Sequence, residues 1–277
     1  MRGLVLEGGG MRSVFTAGVL DAFQDCGVKF DYVIGTSAGS TCGINYLAGQ
    51  HGRSRYINID LHTVRPYVGI GPFIEGHGVI DMDFLFETVP AEMYPFDFET
   101  FFAKMTSGVR FIAVATEAET GQATYLEEKR DAKRLVDICR ASCSLPIMCP
   151  MWSVDGHQMV DGGVSDSIPY DRALSDGCEQ VVVVLTKDAS YRKSERFTWL
   201  PRRVYKEYPM LREALIARNQ AYNAQLDRLA ELERKGKVRV IRPDGMCGVG
   251  RTTSDTSRLE ALYAKGVQAG LKWSKRL

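Results

Sequence analysis

The sequence has no apolar run long enough to cross a membrane: the longest purely aliphatic stretch, Val181 to Leu185, falls far short of the ~20 residues a spanning helix needs. Ahead of the first glycines, Arg2 is followed only by Leu4, Val5 and Leu6. A secretory signal carries ~7–15 apolar residues, so a cytoplasmic protein is expected. Charge of neither sign dominates, since 35 Lys and Arg against 34 Asp and Glu leave a net charge of +1. That balance gives no footing for nucleic acid or a strongly acidic partner. The 7 cysteines are odd in number and include no CxxC pair, which argues against a disulfide framework and for a reducing compartment. Cys139, Cys143 and Cys149 come closest to a cluster, but Cys139 and Cys143 stand one helical turn apart and read as buried thiols. Neither metal nor cofactor is expected. Histidine is scarce too: His51, His62, His77 and His157 are all there is, and none follows Asp161.

What is present is a chain of 277 residues, 45% apolar and 25% charged, enough to bury a sizeable core. Gly3 to Glu7 reads as a buried strand, Arg12 to Gln24 as a helix, Asp31 to Gly35 as a second strand and Ser37 to Ala48 as a second helix. This β-α-β-α start predicts an α/β fold with a mostly parallel central sheet between helical layers, a three-layer sandwich. Further on, Val109 to Thr116 and Gln122 to Leu126 read as paired strands, and Asp131 to Ser142 as a helix. Val154 to Val160 reads as a hairpin turning at Asp155-Gly156, Ile168 to Ser175 as a short helix, and Gln180 to Lys187 as a central strand. Beyond residue 190 the pattern turns helical, Met210 to Arg234 and Ser257 to Trp273, with a strand Lys237 to Arg242 between. The expected organisation is an α/β body over residues 1–188, completed by a mainly helical segment, 189–277, of the same domain.

Three glycine-rich turns fall at the ends of predicted strands: Gly8-Gly9-Gly10-Met11-Arg12-Ser13, Gly35-Thr36-Ser37-Ala38-Gly39 and Asp161-Gly162-Gly163. In an open α/β sheet the carboxyl ends of the strands border the ligand crevice, so the three can converge. GTSAG fits a strand-to-helix elbow, in which Gly35 and Gly39 give the clearance that lifts Ser37 above the sheet. The N–H of Ala38 would then face a developing oxyanion, and Gly8, Gly9 and Gly10 would add donors with no Cβ to block an ester carbonyl. Arg12 would hold that loop or neutralise charge. Each turn alone also suits an ordinary connection, and their coincidence is the signal. A base for Ser37 is the open question, because a hydrolase triad ordered Ser, acid, His finds no histidine after Asp161. His157 lies in the predicted hairpin, and an aspartate base is the other candidate.

GGGMRS, GTSAG and DGG, in this order, resemble the motifs of the patatin-like phospholipase family. Arg140 to Pro146 and the hairpin leading into Asp161 are similar to the family as well, and the likeness runs from residue 3 to about 187. The resemblance implies a Ser–Asp dyad with Ser37 as nucleophile and Asp161 as base, supported by Gly35, Gly39, Gly162 and Gly163. It implies a lipid or ester substrate, cleaved as a phospholipase A or lysophospholipase would. One departure stands out: Ser13 occupies the position where the family usually ends its first motif with glycine.

Two other readings compete. GGGMRS is a near miss to a dinucleotide fingerprint, but the second strand ends in Gly35-Thr36-Ser37 rather than in the acidic residue that motif expects. The same fold could also bind lipid without turning it over. Residues 191–218 hold eight Lys and Arg against three Glu, interleaved with Phe197, Trp199, Leu200, Tyr205 and Tyr208. That composition suits either a docking patch for an anionic membrane surface or a solvated helix face.

Overall fold

The computed structural model describes residues 1–69, 72, 74, 79–194 and 204–275. Eight segments form one sheet: β1 (Arg2–Leu6), β2 (Tyr32–Thr36), β3 (Arg110–Glu117), β4 (Ala123–Leu126), β5 (Trp152–Val154), β6 (His157–Asp161), β7 (Gln180–Val184) and β8 (Val238–Ile241). The run β3-β2-β1-β7-β8 is parallel throughout, and β4 and β6 are antiparallel to β3. Because successive side chains of a strand point to opposite faces, the sheet feeds two cores. Leu4, Leu6, Val33, Phe111 and Ala113 belong to one, and Val5, Tyr32, Ile34, Ile112 and Val114 to the other.

On the first face lie α1 (Val14–Asp25), α2 (Ala38–Leu47), α3 (Phe98–Thr106), α4 (Ala132–Cys143) and α7 (Thr256–Ser274). The second face is covered by α5 (Tyr170–Ser175) and the long α6 (Pro209–Arg234). The result is the expected sheet between helical layers. The segment after residue 188 is built into it: β8 extends the sheet beside β7, and α7 packs along α1. There Gly18 and Gly266 let the backbones touch, since a Cβ on Gly266 would stand 2.2 Å from the Phe15 carbonyl oxygen.

The structure departs from the sequence reading in three places. A single 3₁₀ turn, Gly10–Ser13, precedes α1. Strand β7 stops at Val184 rather than Lys187, because the Thr186 amide turns away to the Glu7 carboxylate at 2.6 Å. Residues 49–108, to which the sequence assigned nothing, supply helical pieces: Arg53–Arg55, the π-helical Tyr56–Asp60, Leu61–Val64, and the π-helical Phe84–Met93 with Pro90 inside it. Wide turns and an internal proline blur the 3.6-residue period on which a helix reading depends.

Candidate active site

Strand β3 brings the serine and aspartate turns together. Its residues 113–116 pair with β4 along one edge, so both β2 and β6, which overlap β4 in register, occupy the other. On that shared edge Thr36 stands opposite Val114 and Asp161 opposite the next residue, Ala115. The two chains meet end to end, and Ser37 leaves the sheet where β6 arrives.

Ser37 turns from β2 into α2 at φ 56° and ψ −132°, a left-handed backbone that a side chain seldom adopts. Neighbouring residues hold it there. A Cβ on Gly35 would lie 2.6 Å from the Gly39 carbonyl carbon, and one on Gly39 2.5 Å from the Leu6 carbonyl oxygen, so both positions require glycine. Ser40 donates its amide (2.8 Å) and hydroxyl (2.7 Å) to the Ser37 carbonyl. The Ser37 amide donates to the Ser142 hydroxyl at 2.9 Å, and that hydroxyl donates to the Val114 carbonyl at 2.6 Å. Ser142 thus replaces the ladder bond that β2 would have made had it continued.

Asp161 is 1% exposed at the end of β6. Its amide donates to the Ser144 carbonyl (2.8 Å), and its Oδ1 accepts the Gly163 N–H (2.7 Å). Oδ2 has no partner among the described residues. Gly162 is pressed against β3, where a Cβ would come within 2.1 Å of the Val114 carbonyl oxygen. Oδ2 is thus the oxygen of this carboxylate left to accept a proton.

The glycine loop hangs from a buried polar anchor. Glu7 accepts from Lys187, from the Tyr222 hydroxyl (2.6 Å), and from the amide (2.6 Å) and hydroxyl (2.8 Å) of Thr186. Burial works to raise the Glu7 pKa, but the Lys187 charge and these bonds outweigh it and hold the carboxyl below its usual range. Beyond the anchor, a Cβ on Gly8 would meet the Ser37 Cβ at 2.9 Å and one on Gly9 the Thr186 hydroxyl at 2.7 Å. Gly10 has φ 56° and sits against the Arg251 carbonyl, which also takes the Met11 amide at 3.0 Å. Among the described residues no group takes the N–H of Gly9 or Gly10. The Ala38 N–H, in the first turn of α2, has no intrahelical acceptor either. Arg12 donates to the Val249 carbonyl at 3.2 Å and so ties the loop to the segment before α7. Ser13 has helical backbone (φ −64°, ψ −9°), and its buried hydroxyl is accommodated without a partner.

Ser37 stands between two cavities. One is mainly apolar and is walled by α2, α4 and the helical pieces of residues 53–98, with Met11, Ile57, Tyr67, Leu85, Phe86 and Phe96 in its lining. The other is lined by Ser37, Asp161, Gly8, Gly9, Gly10, Arg12 and Gly163, together with Glu7, Lys187, Lys193, Arg218 and Arg251. Ala38 lines the apolar cavity; Gly35, Gly39 and Gly162 shape the turns and line neither. Sequence reasoning missed Ser142, the Glu7 anchor and Arg251, and it read Lys193 and Arg218 as part of the basic stretch 191–218 rather than as neighbours of Ser37. Ser142 lay inside a stretch already singled out, whereas nothing local marks Arg251.

The described histidines stand apart from both cavities. His157 is half exposed in its hairpin and pairs with Glu117 (2.8 Å), His51 pairs with Asp25 (3.2 Å), and His62 stacks on Tyr67. His77 lies outside the described residues. Burial pushes the thiols up, Cys139 to about 12 and Cys149 to about 11; Cys139 lines the apolar cavity and Cys149 packs with Met82 and Leu145. Of the basic stretch 191–218, residues 195–203 lie outside the described residues. Among its other members, Lys193 and Arg218 face the polar cavity, and Arg192 pairs with Asp227 (3.1 Å).

Residues 4–174 match the family model described as patatin-like phospholipase. The chain belongs to the patatin-like phospholipase family. A second model, a domain of unknown function designated DUF6363, matches residues 208–277. The chain is 33% identical over 185 residues to YjjU of Escherichia coli K12, a protein named as uncharacterized, with 66% of this chain and 51% of that one covered. It is 27% identical over 191 residues to the lysophospholipase nte1 of Aspergillus niger, covering 66% of this chain and 12% of that one. It therefore spans about half of the first relative and a small part of the second. Among solved structures, VipD of Legionella pneumophila has the same patatin-like fold, with a TM-score of 0.55 and 15% identity over 99% of this chain and 66% of that one.

Proposed function

We propose that the protein is a serine-dependent lipid acyl hydrolase, of the phospholipase A or lysophospholipase type, with Ser37 as nucleophile and Asp161 as base. The observation that carries this reading is the unpartnered, buried Oδ2 of Asp161, which borders the same cavity as the strained Ser37 elbow. Asp161 Oδ2 takes the Ser37 hydroxyl proton as Oγ attacks the ester carbonyl. The oxyanion of the tetrahedral intermediate is met by the free amides of the Gly9–Gly10 loop and by the Ala38 N–H. Collapse expels the alcohol, which leaves with the proton held on Asp161, and an acyl-enzyme remains on Ser37. Water, deprotonated by the same carboxylate, then releases the fatty acid. The apolar cavity receives the acyl chain, since its lining by Met11, Ile57, Tyr67, Leu85, Phe86 and Phe96 suits a lipid tail.

Among the described residues no helix is long and apolar enough to cross a membrane. We propose a cytoplasmic protein that meets lipid at the membrane surface, and a single domain in which residues 189–277 complete the body formed by 1–188. A fluorophosphonate probe tests the reading in one gel. Wild type is labelled and Ser37→Ala is not, while wild type releases fatty acid from a lysophospholipid. An unlabelled wild type that still binds lipid would make the protein a lipid-binding relative without turnover.

A further inference from the structure

The polar cavity beside Ser37 holds more positive charge than ester hydrolysis requires. Arg12, Lys187, Lys193, Arg218 and Arg251 line it, against the carboxylates of Glu7 and Asp161. Glu7 and Lys187 neutralise each other in a buried pair. The other four cations have no carboxylate ion-paired to them among the described residues. Arg12 and Arg218 donate to the carbonyls of Val249 (3.2 Å) and Gly163 (2.6 Å), and the Lys193 ammonium lies 4.0 Å over the Tyr222 ring. Guanidinium groups keep their protons in proteins, so like charges gathered in a cleft repel until an anion joins them. The Lys193 ammonium responds in the one way open to it: burial first, then the Arg218 and Lys187 charges, lower its pKa to about 6.

The two cavities share Gly10, Ser37, Leu145 and Arg251. An ester seated at Ser37 with its acyl chain in the apolar cavity therefore sends its alcohol portion toward the cations. A choline or ethanolamine group there would bring another positive charge beside four cations, and of the carboxylates lining the cavity Glu7 is paired with Lys187 and Asp161 is the proposed base. The Tyr222 face that could hold such a cation is already covered by Lys193 and, at 5.1 Å, by Lys187.

We propose that the polar cavity is a head-group site for a phosphomonoester held by Arg12, Lys193, Arg218 and Arg251, so that the preferred substrate is an acyl ester of glycerol 3-phosphate. The proposal rests on the hydrolase reading for the place of the ester. Lys193, Arg218 and Arg251 lie beyond the residues matched by the patatin-like model, so the C-terminal part of the chain selects the head group.

Two measurements on the full chain test this. In the first, Ser37→Ala is titrated calorimetrically with glycerol 3-phosphate, inorganic phosphate and phosphocholine. Glycerol 3-phosphate should bind most tightly and phosphocholine least; phosphocholine binding equally well, or inorganic phosphate binding as tightly, would overturn the head-group assignment. In the second, kcat/KM is compared for 1-octanoylglycerol 3-phosphate and neutral 1-octanoylglycerol. Arg251→Gln and Lys193→Gln should each lower the anionic-to-neutral ratio by ~10–100-fold, the loss of one charge-assisted hydrogen bond, and Arg251→Lys should restore most of it. An unchanged ratio refutes the proposal. Should wild type cleave neither ester while glycerol 3-phosphate binds and Arg251→Gln abolishes that binding, the hydrolase reading fails and the anion site stands.

Discussion

Thr36 and Asp161 lie opposite consecutive residues on one edge of β3, Val114 and Ala115, so the strand leading to Ser37 ends where the strand carrying Asp161 arrives. That head-on meeting predicts a two-residue unit. Ser37→Ala and Asp161→Asn should each abolish ester hydrolysis with the fold intact, and the double variant should be no worse than either single one, because the residues act in one step. His157→Ala should stay active, since His157 pairs with Glu117 in an exposed hairpin. A loss of ~10³-fold or more in that variant, the scale of removing a triad member, would reinstate a histidine base.

If Ser37 is the nucleophile as proposed, Ser142 is its positioning residue. Its hydroxyl satisfies both the Ser37 amide and the Val114 carbonyl in a fully buried site. Ser142→Ala leaves both groups unpaired, at a cost of ~1–3 kcal/mol each. We expect a lower unfolding midpoint and a kcat reduced by ~10-fold or more with KM little changed, because the loss falls on the elbow rather than on substrate contacts. A rise in KM at constant kcat would remove this role.

The proposed oxyanion loop makes a steric prediction. A Cβ on Gly10 would stand 2.5 Å from the Arg251 carbonyl oxygen at φ 56°, and one on Gly9 would stand 2.7 Å from Thr186 Oγ1, itself bonded to Glu7. Gly9→Ala and Gly10→Ala should therefore shift the donors and cut kcat by ~10²–10³-fold, the effect of losing one oxyanion donor. Steady-state kinetics with a short-chain ester checks this, and a change confined to KM would make the loop a binding surface.

The docking of α7 on α1 is tested away from the site. Gly266→Ala forces a Cβ into the Phe15 carbonyl oxygen, 2.2 Å away, and overpacking of this kind costs ~1–3 kcal/mol. In a chain of this size that should lower the unfolding midpoint by roughly 2–12 °C, measured by thermal denaturation. An unchanged midpoint would mean that α7 is not held on α1.

The parts of this molecule visible in its sequence are those governed by local rules. Alternation of apolar and polar residues is absent from the central strands because both faces are buried; instead Val181 to Leu185 and Tyr32 to Ile34 stand out as unbroken apolar runs. The glycines at 8–10, 35, 39 and 162 are marked because each abuts backbone or a crowded side chain. Residues 53–98 were invisible because π-turns and Pro90 spoil helical periodicity, yet they wall the apolar cavity. Arg251 was unreadable for another reason: its meaning comes from distant segments folding over Ser37, and a lone cation in a loop carries no pattern, while Lys193 stood out only as part of the basic stretch 191–218 and not as a neighbour of Ser37.

The last prediction concerns protons. Lys193 faces Arg218 and Tyr222 from α6, Lys187 beyond β7, Glu7 beyond β1, and Arg12 and Arg251 from the loops around them, with Asp161 and Tyr191 nearby. Its pKa falls from 10.5 in the unfolded chain to about 6 in the folded one, so between those values the unfolded chain binds a proton that the folded one lacks. The group therefore costs stability at low pH, and that cost is relieved as pH rises through this window. A bound dianion reverses the balance by favouring the ammonium. Glycerol 3-phosphate is mostly doubly negative above its second pKa of ~6, so binding near pH 7.5 should draw in close to one proton from the buffer. Calorimetry in two buffers of different ionisation enthalpy measures that uptake, and affinity should weaken as pH rises further. Lys193→Gln should abolish the uptake; wild-type binding with no proton linkage would show that Lys193 does not touch the phosphate.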